Sequence, residues 1–172
     1  MKRLHIPRWL ARILNLSARH RYYPLVVAFI AFVSTTTFTF PFAIVLIPAV
    51  LIAPRRWLVL GLLCGLASGM GAAVLVELFH HFGWNLVVSH YPELIETDTW
   101  RFAIDWMENY GLFALIIIAG SPMPQTPALF FYSLADPSAF GVLVAVGIGK
   151  IVKYVFLAWA TYRYPSRFMA YR

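Results

Sequence analysis

Lys150 and Lys153 stand three residues apart in GVLVAVGIGKIVKYVFLAWA, a stretch with no other charge. On a helix that spacing puts both ammonium groups on one face. At the centre of a membrane-length run, each such group costs about 2.5–3.5 kcal/mol to insert. An acidic side chain, backbone carbonyls, water in a cavity or an anionic substrate can offset that cost. The competing reading is a lysine that reaches the membrane surface along its own stem or pairs within the protein. The chemistry implied is anion binding. A second group with polar potential is SPMPQTP, in which Ser121, Gln125 and Thr126 alternate with Pro122, Pro124 and Pro127 inside an otherwise apolar segment. A third is STTTFTFP, which ends at Pro41. Glu77 is an acid within an apolar run and so a candidate by position. Together Lys150, Lys153, Ser121, Pro122, Pro124, Gln125, Thr126, Pro127, Pro41 and Glu77 make up the expected substrate path.

Other motifs carry less. GIGK lacks the upstream glycine spacing and the following hydroxyl residue of a phosphate-binding loop. Glu77, His80, His81 and His90 do not have the spacing of a metal-ligand motif. No nucleophile elbow or paired-carboxylate site is present, so the sequence offers no catalytic residues, no metal site and no cofactor. The single cysteine, Cys64, lies in an apolar run and excludes an intrachain disulfide.

Of the 172 residues, 61% are hydrophobic and 12% charged, a balance that points to an integral membrane protein. The net charge of +7 gathers at the ends. Lys2, Arg3, Arg8, Arg12, Arg19 and Arg21 precede the first apolar run, and Arg163, Arg167 and Arg172 follow the last. That is the distribution of a chain with both termini on the cytoplasmic side, and it argues against a nucleic-acid partner. Residues 4–16, with Trp9, Leu10, Ile13 and Leu14 set against Arg8 and Arg12, predict a helix lying on the membrane surface.

The apolar runs do not have the lengths of simple crossings. Residues 24–53 would extend about 45 Å as one helix, against a hydrocarbon core of about 30 Å, and are too short for two crossings. The threonines and Pro41 at the centre predict a re-entrant hairpin, with hydroxyls satisfying freed backbone groups. SPMPQTP predicts the same for 111–136. At a constant offset of 83 residues, Pro41 matches Pro124, Pro54 matches Pro137, and Trp57 matches Phe140. The expected fold is thus an all-α polytopic membrane protein of two inverted units. Each unit is a re-entrant hairpin followed by a transmembrane helix: hairpin 24–54 and span 57–80, then hairpin 111–136 and span 139–162. A basic segment 1–23 precedes them, a basic tail 163–172 follows, and an external amphipathic connector, 83–110, joins them. Four plain crossings would instead move Arg55 and Arg56 outside and the acidic connector inside. Gly61, Gly65 and Gly69 line one face of the first span and predict close packing against a hairpin, and Gly147 and Gly149 predict another close approach.

The order hairpin, span, acidic connector, hairpin, span resembles the DedA/VTT (SNARE-associated Golgi-like) membrane protein family. The likeness covers about residues 33–161 and rests on SPMP (121–124), LADPSAFG (134–141) and GKIVKY (149–154). The last is similar to a Gly-Lys-x-x-basic-Tyr signature of the short bacterial branch. The resemblance implies a multi-pass protein of the bacterial inner membrane, related to lipid flippases and scramblases. Its partners would be membrane lipids with anionic head groups, either phospholipid or polyprenyl phosphate, and a homo-oligomer is compatible with it. Larger members carry acids in the first hairpin and two arginines around the proline of the second. Here 34–53 holds no acid, and Ser121 and Thr126-Pro127 stand where those arginines would be. Phosphate binding then falls to Lys150 and Lys153. A non-transporting membrane scaffold or assembly factor, and a carrier of small solutes, are the alternative functions.

Overall fold

The computed structural model describes residues 21–37, 41–90, 97–121, 125–134 and 138–166. The surface helix expected at 4–16, the motif prolines Pro122 and Pro124, and most of the basic tail lie outside them. All regular structure among the described residues is helical. The helices are α1 (Tyr23–Thr37), α2 (Ala43–Ile52), α3 (Trp57–His90), α4 (Asp98–Gly120), α5 (Thr126–Ser133) and α6 (Ala139–Arg163), with a 3-10 turn at Pro54–Arg56 before α3.

Two stretches, Pro54–Phe82 and Ala139–Arg163, are long and apolar enough to cross a membrane. The others are not. At about 1.5 Å per residue, α1 extends about 22 Å, α2 about 15 Å and α5 about 12 Å. The apolar part of α4, Asn109–Gly120, extends about 18 Å.

α3 and α6 form the central pair, antiparallel and in close contact. The sequence sets this register through glycines at four-residue spacing. A Cβ at Gly61 would meet Val155 at 2.9 Å, one at Gly65 would meet Ile151 at 2.5 Å, and one at Gly69 would meet the Leu143 carbonyl at 2.7 Å. The glycine face expected to receive a hairpin therefore receives the other long helix. Gly71 is the residue that meets a short helix, with the Phe32 carbonyl and Thr35 of α1 3.0–3.1 Å from where its Cβ would be.

The four flanking helices pack reciprocally. α1 lies on α3 and α2 on α6, while α4 lies on α6 and α5 on α3. Two separate apolar clusters result. One joins Val27, Ala31, Leu46 and Ala49 to Leu60 and Cys64 of α3 and to Tyr154 and Ala158 of α6. The other joins Leu115, Ala119, Leu129 and Tyr132 to Ala72 and Val76 of α3 and to Val142 and Val146 of α6. Because α3 and α6 are antiparallel, these clusters occupy opposite ends of the pair.

The two ends differ in charge. Arg21, Arg55, Arg56 and Arg163 share the end where Trp57 stacks on Tyr162, ring centroids 5.9 Å apart. There Tyr23 closes the base of the α1–α2 pair by donating its hydroxyl to the Ala49 carbonyl at 3.1 Å. At the other end, His80 Nδ1 lies 2.8 Å from the Ser133 carbonyl and ties α3 to the end of α5. Asp105 and Arg101 are exposed there. Between the ends, the outer faces are apolar, with Phe29, Phe113, Phe140 and Phe156 each more than 60% exposed.

Two element boundaries differ from the sequence expectation. α1 stays helical through Thr37, and its threonine hydroxyls bond back to the preceding turn: Thr35 to the Ala31 carbonyl at 2.9 Å, Thr36 to Val33 at 3.0 Å and Thr37 to Val33 at 2.7 Å. The hydroxyls share carbonyls that the helix already uses, which lets threonine sit in the last turn without leaving its own polar group unpaired. The connector has no helix of its own on either flank. Residues 83–90 continue α3, and α4 runs unbroken from Asp98 through 110–111 to Gly120. No proline interrupts 98–120, so the change from charged to apolar composition occurs within one helix.

Candidate functional site

The ends of α1 and α4 reach the middle of the long helices. Thr35, near the end of α1, is hydrogen-bonded hydroxyl to hydroxyl with Ser68 of α3, Oγ1 to Oγ 3.1 Å, and both residues are buried. Ser68 in turn partners the Tyr154 hydroxyl on α6. Lys150 Nζ donates to that hydroxyl at 3.4 Å and lies 5.5 Å from the Tyr154 ring centroid. The Phe42 ring, at the start of α2, is 5.1 Å from the Tyr154 ring. A row of polar groups, Thr35, Ser68, Tyr154 and Lys150, thus crosses from α1 through α3 to α6.

Lys153 faces the other short pair. Its Nζ donates to the Ser121 carbonyl, just past the end of α4, at 2.6 Å. The approach depends on Gly149, whose Cβ would stand 2.5 Å from the Ile116 carbonyl and 2.9 Å from the Gly120 nitrogen. Ser121 turns its own hydroxyl back to the Ile118 carbonyl at 2.9 Å. Both lysines are half-buried. Gly147 opens no such approach to α4, since no atom lies within 4 Å of its would-be Cβ; it is instead the surface against which Gly69 packs.

Gln125 immediately precedes α5, and Thr126 and Pro127 form its first turn. The Gln125 side chain makes no capping bond. Its Oε1 is buried and is the one buried side-chain polar atom without a hydrogen-bond partner among the described residues. Comparison with protein-family models, with curated proteins and with solved structures finds no match to this chain. Any reading of the site therefore rests on its residues and their geometry.

The structure brings Lys150, Lys153 and Ser121 together and sets Gln125 and Thr126 at the start of the next helix. Pro41 precedes α2, whose first turn closes through Ile44 N to the Pro41 carbonyl at 3.0 Å. Glu77 does not join them. It is exposed on α3, toward the end where the second apolar cluster lies, with exposed Val74 and Leu78 beside it. Three participants take roles the sequence does not assign them: Thr35, within STTTFTFP, Tyr154, the last residue of GKIVKY, and Ser68. Tyr154 stands next to Lys153 at four residues from Lys150, which is a helical contact distance and was the available signal. Ser68 gave none, because its role depends on which residues of α6 face α3.

Proposed function

We propose that this chain is a lipid transporter of the flippase or scramblase type, a short member of the DedA/VTT family in the bacterial inner membrane. Its substrate is an anionic phospholipid or a polyprenyl phosphate. In this reading α1–α2, and the part of α4 after residue 110 with α5, are re-entrant hairpins that enter from opposite faces, in two inverted units. The end bearing Arg21, Arg55, Arg56 and Arg163 faces the cytoplasm together with both termini, as the placement of basic residues favours. The reciprocal packing of α1, α2, α4 and α5 on the central pair supports the arrangement.

One observation carries the functional reading: the Lys153 ammonium lies 2.6 Å from the Ser121 carbonyl, where an interrupted apolar segment meets the middle of α6. Irregular backbone at membrane depth survives around a cavity or buried in protein, and interrupted helices there commonly bind charged substrates. α2 and α5 both begin at these interruptions, so their partly positive first turns add to the two lysines. The matching ligand is anionic.

The test is reconstitution of the purified protein into vesicles containing fluorescent phosphatidylglycerol. We expect translocation that falls at least tenfold in Lys150→Met/Lys153→Met. Unchanged translocation in the double variant refutes the role of the lysines. A second reading, a scaffold whose lysines hold the fold together, has its own supporting observation, because each lysine already has a partner inside the protein. On that reading no lipid moves in either form, and the double variant only loses stability.

A further inference from the structure

All seven acidic residues lie between Glu77 and Asp136, and none falls in the segments that form the arginine end of the central pair. Arg21, Arg55 and Arg163 are exposed there, and Arg56 is half-buried. α1 and α3 begin at this end while α2 and α6 finish there, so the partial charges of the helix termini largely cancel and the guanidinium charge remains. The chain leading into Arg21 adds five more basic residues and no acid. The protein supplies no carboxylate to balance them, so the counter-charge comes from its surroundings. Aromatic residues fix the depth of this charge. Trp57 and Tyr162 stack across the two long helices, and Tyr22, Trp159, Tyr162 and Tyr164 are exposed. Such rings settle at the head-group level of a membrane. Arg21 lies 5.5 Å from the Tyr22 ring centroid and Arg163 6.0 Å from that of Tyr164, so their guanidinium groups stand at the same level. That is the level of phospholipid phosphates, and a guanidinium presents paired N–H donors that match phosphate oxygens.

We infer that the arginine end is a docking surface for anionic phospholipid, which it holds by the phosphate as a resident neighbour and not as cargo. The exposed Leu25, Leu58 and Phe156 continue the same surface toward the middle of the molecule and suit the acyl chains. A zwitterionic phospholipid carries its own ammonium group and so brings no net counter-charge. The inference concerns the end of the molecule and not the central lysines, and it is independent of lipid transport.

The experiment equilibrates the purified full chain in mixed micelles holding equal amounts of phosphatidylglycerol and phosphatidylcholine, and reads the retained lipids by native mass spectrometry. Each arginine near an anionic surface is worth about fivefold in occupancy. The wild-type protein should retain phosphatidylglycerol over phosphatidylcholine by at least that factor, and Arg55→Gln/Arg163→Gln should lower the preference at least about fivefold. Arg101→Gln, at the opposite end, should leave it unchanged. Equal retention of the two lipids by the wild-type protein overturns the inference, and that comparison needs no variant to fold. A preference that survives the arginine double variant places the lipid elsewhere, the central lysines included, and overturns it as well. Glycerophosphoglycerol, the same head group without acyl chains, should not compete at the concentration of the lipid. If it displaces phosphatidylglycerol, the surface takes a soluble phosphate ester and the lipid assignment falls. Retention is read without any lipid crossing a membrane, so failure of the transport reading leaves this inference standing, and the reverse holds too.

Discussion

A methyl group at position 149 would stand 2.5 Å from the Ile116 carbonyl oxygen, 2.9 Å from the Ala119 Cβ and 2.9 Å from the Gly120 nitrogen. Ordinary contact begins near 3.4 Å, so Gly149→Ala must move α4 away from α6 by about 0.9 Å, mostly against backbone that cannot rotate aside. A gap of that size forfeits about a quarter to a half of each contact's dispersion energy along the interface. It also stretches the 2.6 Å bond from Lys153 to Ser121 toward the limit at which a hydrogen bond is lost. Overpacking of this kind costs about 1–3 kcal/mol, or about 2–12 °C in melting temperature for a chain of this size. Gly147→Ala supplies the control, two residues away in the same helix. Its methyl group enters open space, and alanine is the better helix former, so the variant should melt at or slightly above the wild-type temperature. Thermal unfolding of the three proteins in detergent, followed by circular dichroism, decides the matter. If Gly149→Ala melts with the wild type, α4 does not touch α6 at this glycine and the geometry of the lysine site is wrong.

Tyr154→Phe removes the hydroxyl that receives Lys150 and partners Ser68, and should cost about 1–2 kcal/mol in the same assay. A double-mutant cycle of Thr35→Val with Ser68→Ala should give a coupling of about 0.6 kcal/mol, the usual size for a hydroxyl pair between membrane helices. A coupling of zero would remove the link between α1 and α3. In a Cys64→Ala background, a cysteine at position 55 should react with an impermeant maleimide only from the cytoplasmic side, and one at position 136 only from the outside. Reaction of both from the outside restores four plain crossings and ends the opposed-hairpin arrangement.

What could be read from the residues was what depends on one stretch of chain. Lys150 and Lys153 stood out because a charge in an apolar run is costly wherever the run packs, and 34–41 and 121–127 because proline limits the backbone locally. The partners of those groups depend on register between segments far apart in sequence. Gly61, Gly65 and Gly69 announced a close contact without saying whether a hairpin or α6 would make it. Ser68 lies on the same helix with no distinguishing neighbour, and it matters only because α1 and α6 both reach it. Thr35, Thr36 and Thr37 predict a break in the chain, yet the helix runs through all three, with their hydroxyls bonded to the carbonyls behind them. Glu77 is a charge in an apolar run just as the lysines are, but it faces outward, so depth along a span does not by itself decide which way a side chain is turned.

The crossed attachment of the short helices has a consequence for biosynthesis. α5 is made after α3 and finds its seat already waiting. α2 seats on α6, which leaves the ribosome about ninety residues later. Until then Leu46, Ala49 and Val50 lack the cover that Tyr154 and Ala158 will give them. α6, the last of the described helices to be translated, is therefore the keystone of the α1–α2 pair. A nascent chain cut short before residue 154 would hold its opening pair of helices half-built and vulnerable to membrane proteolysis.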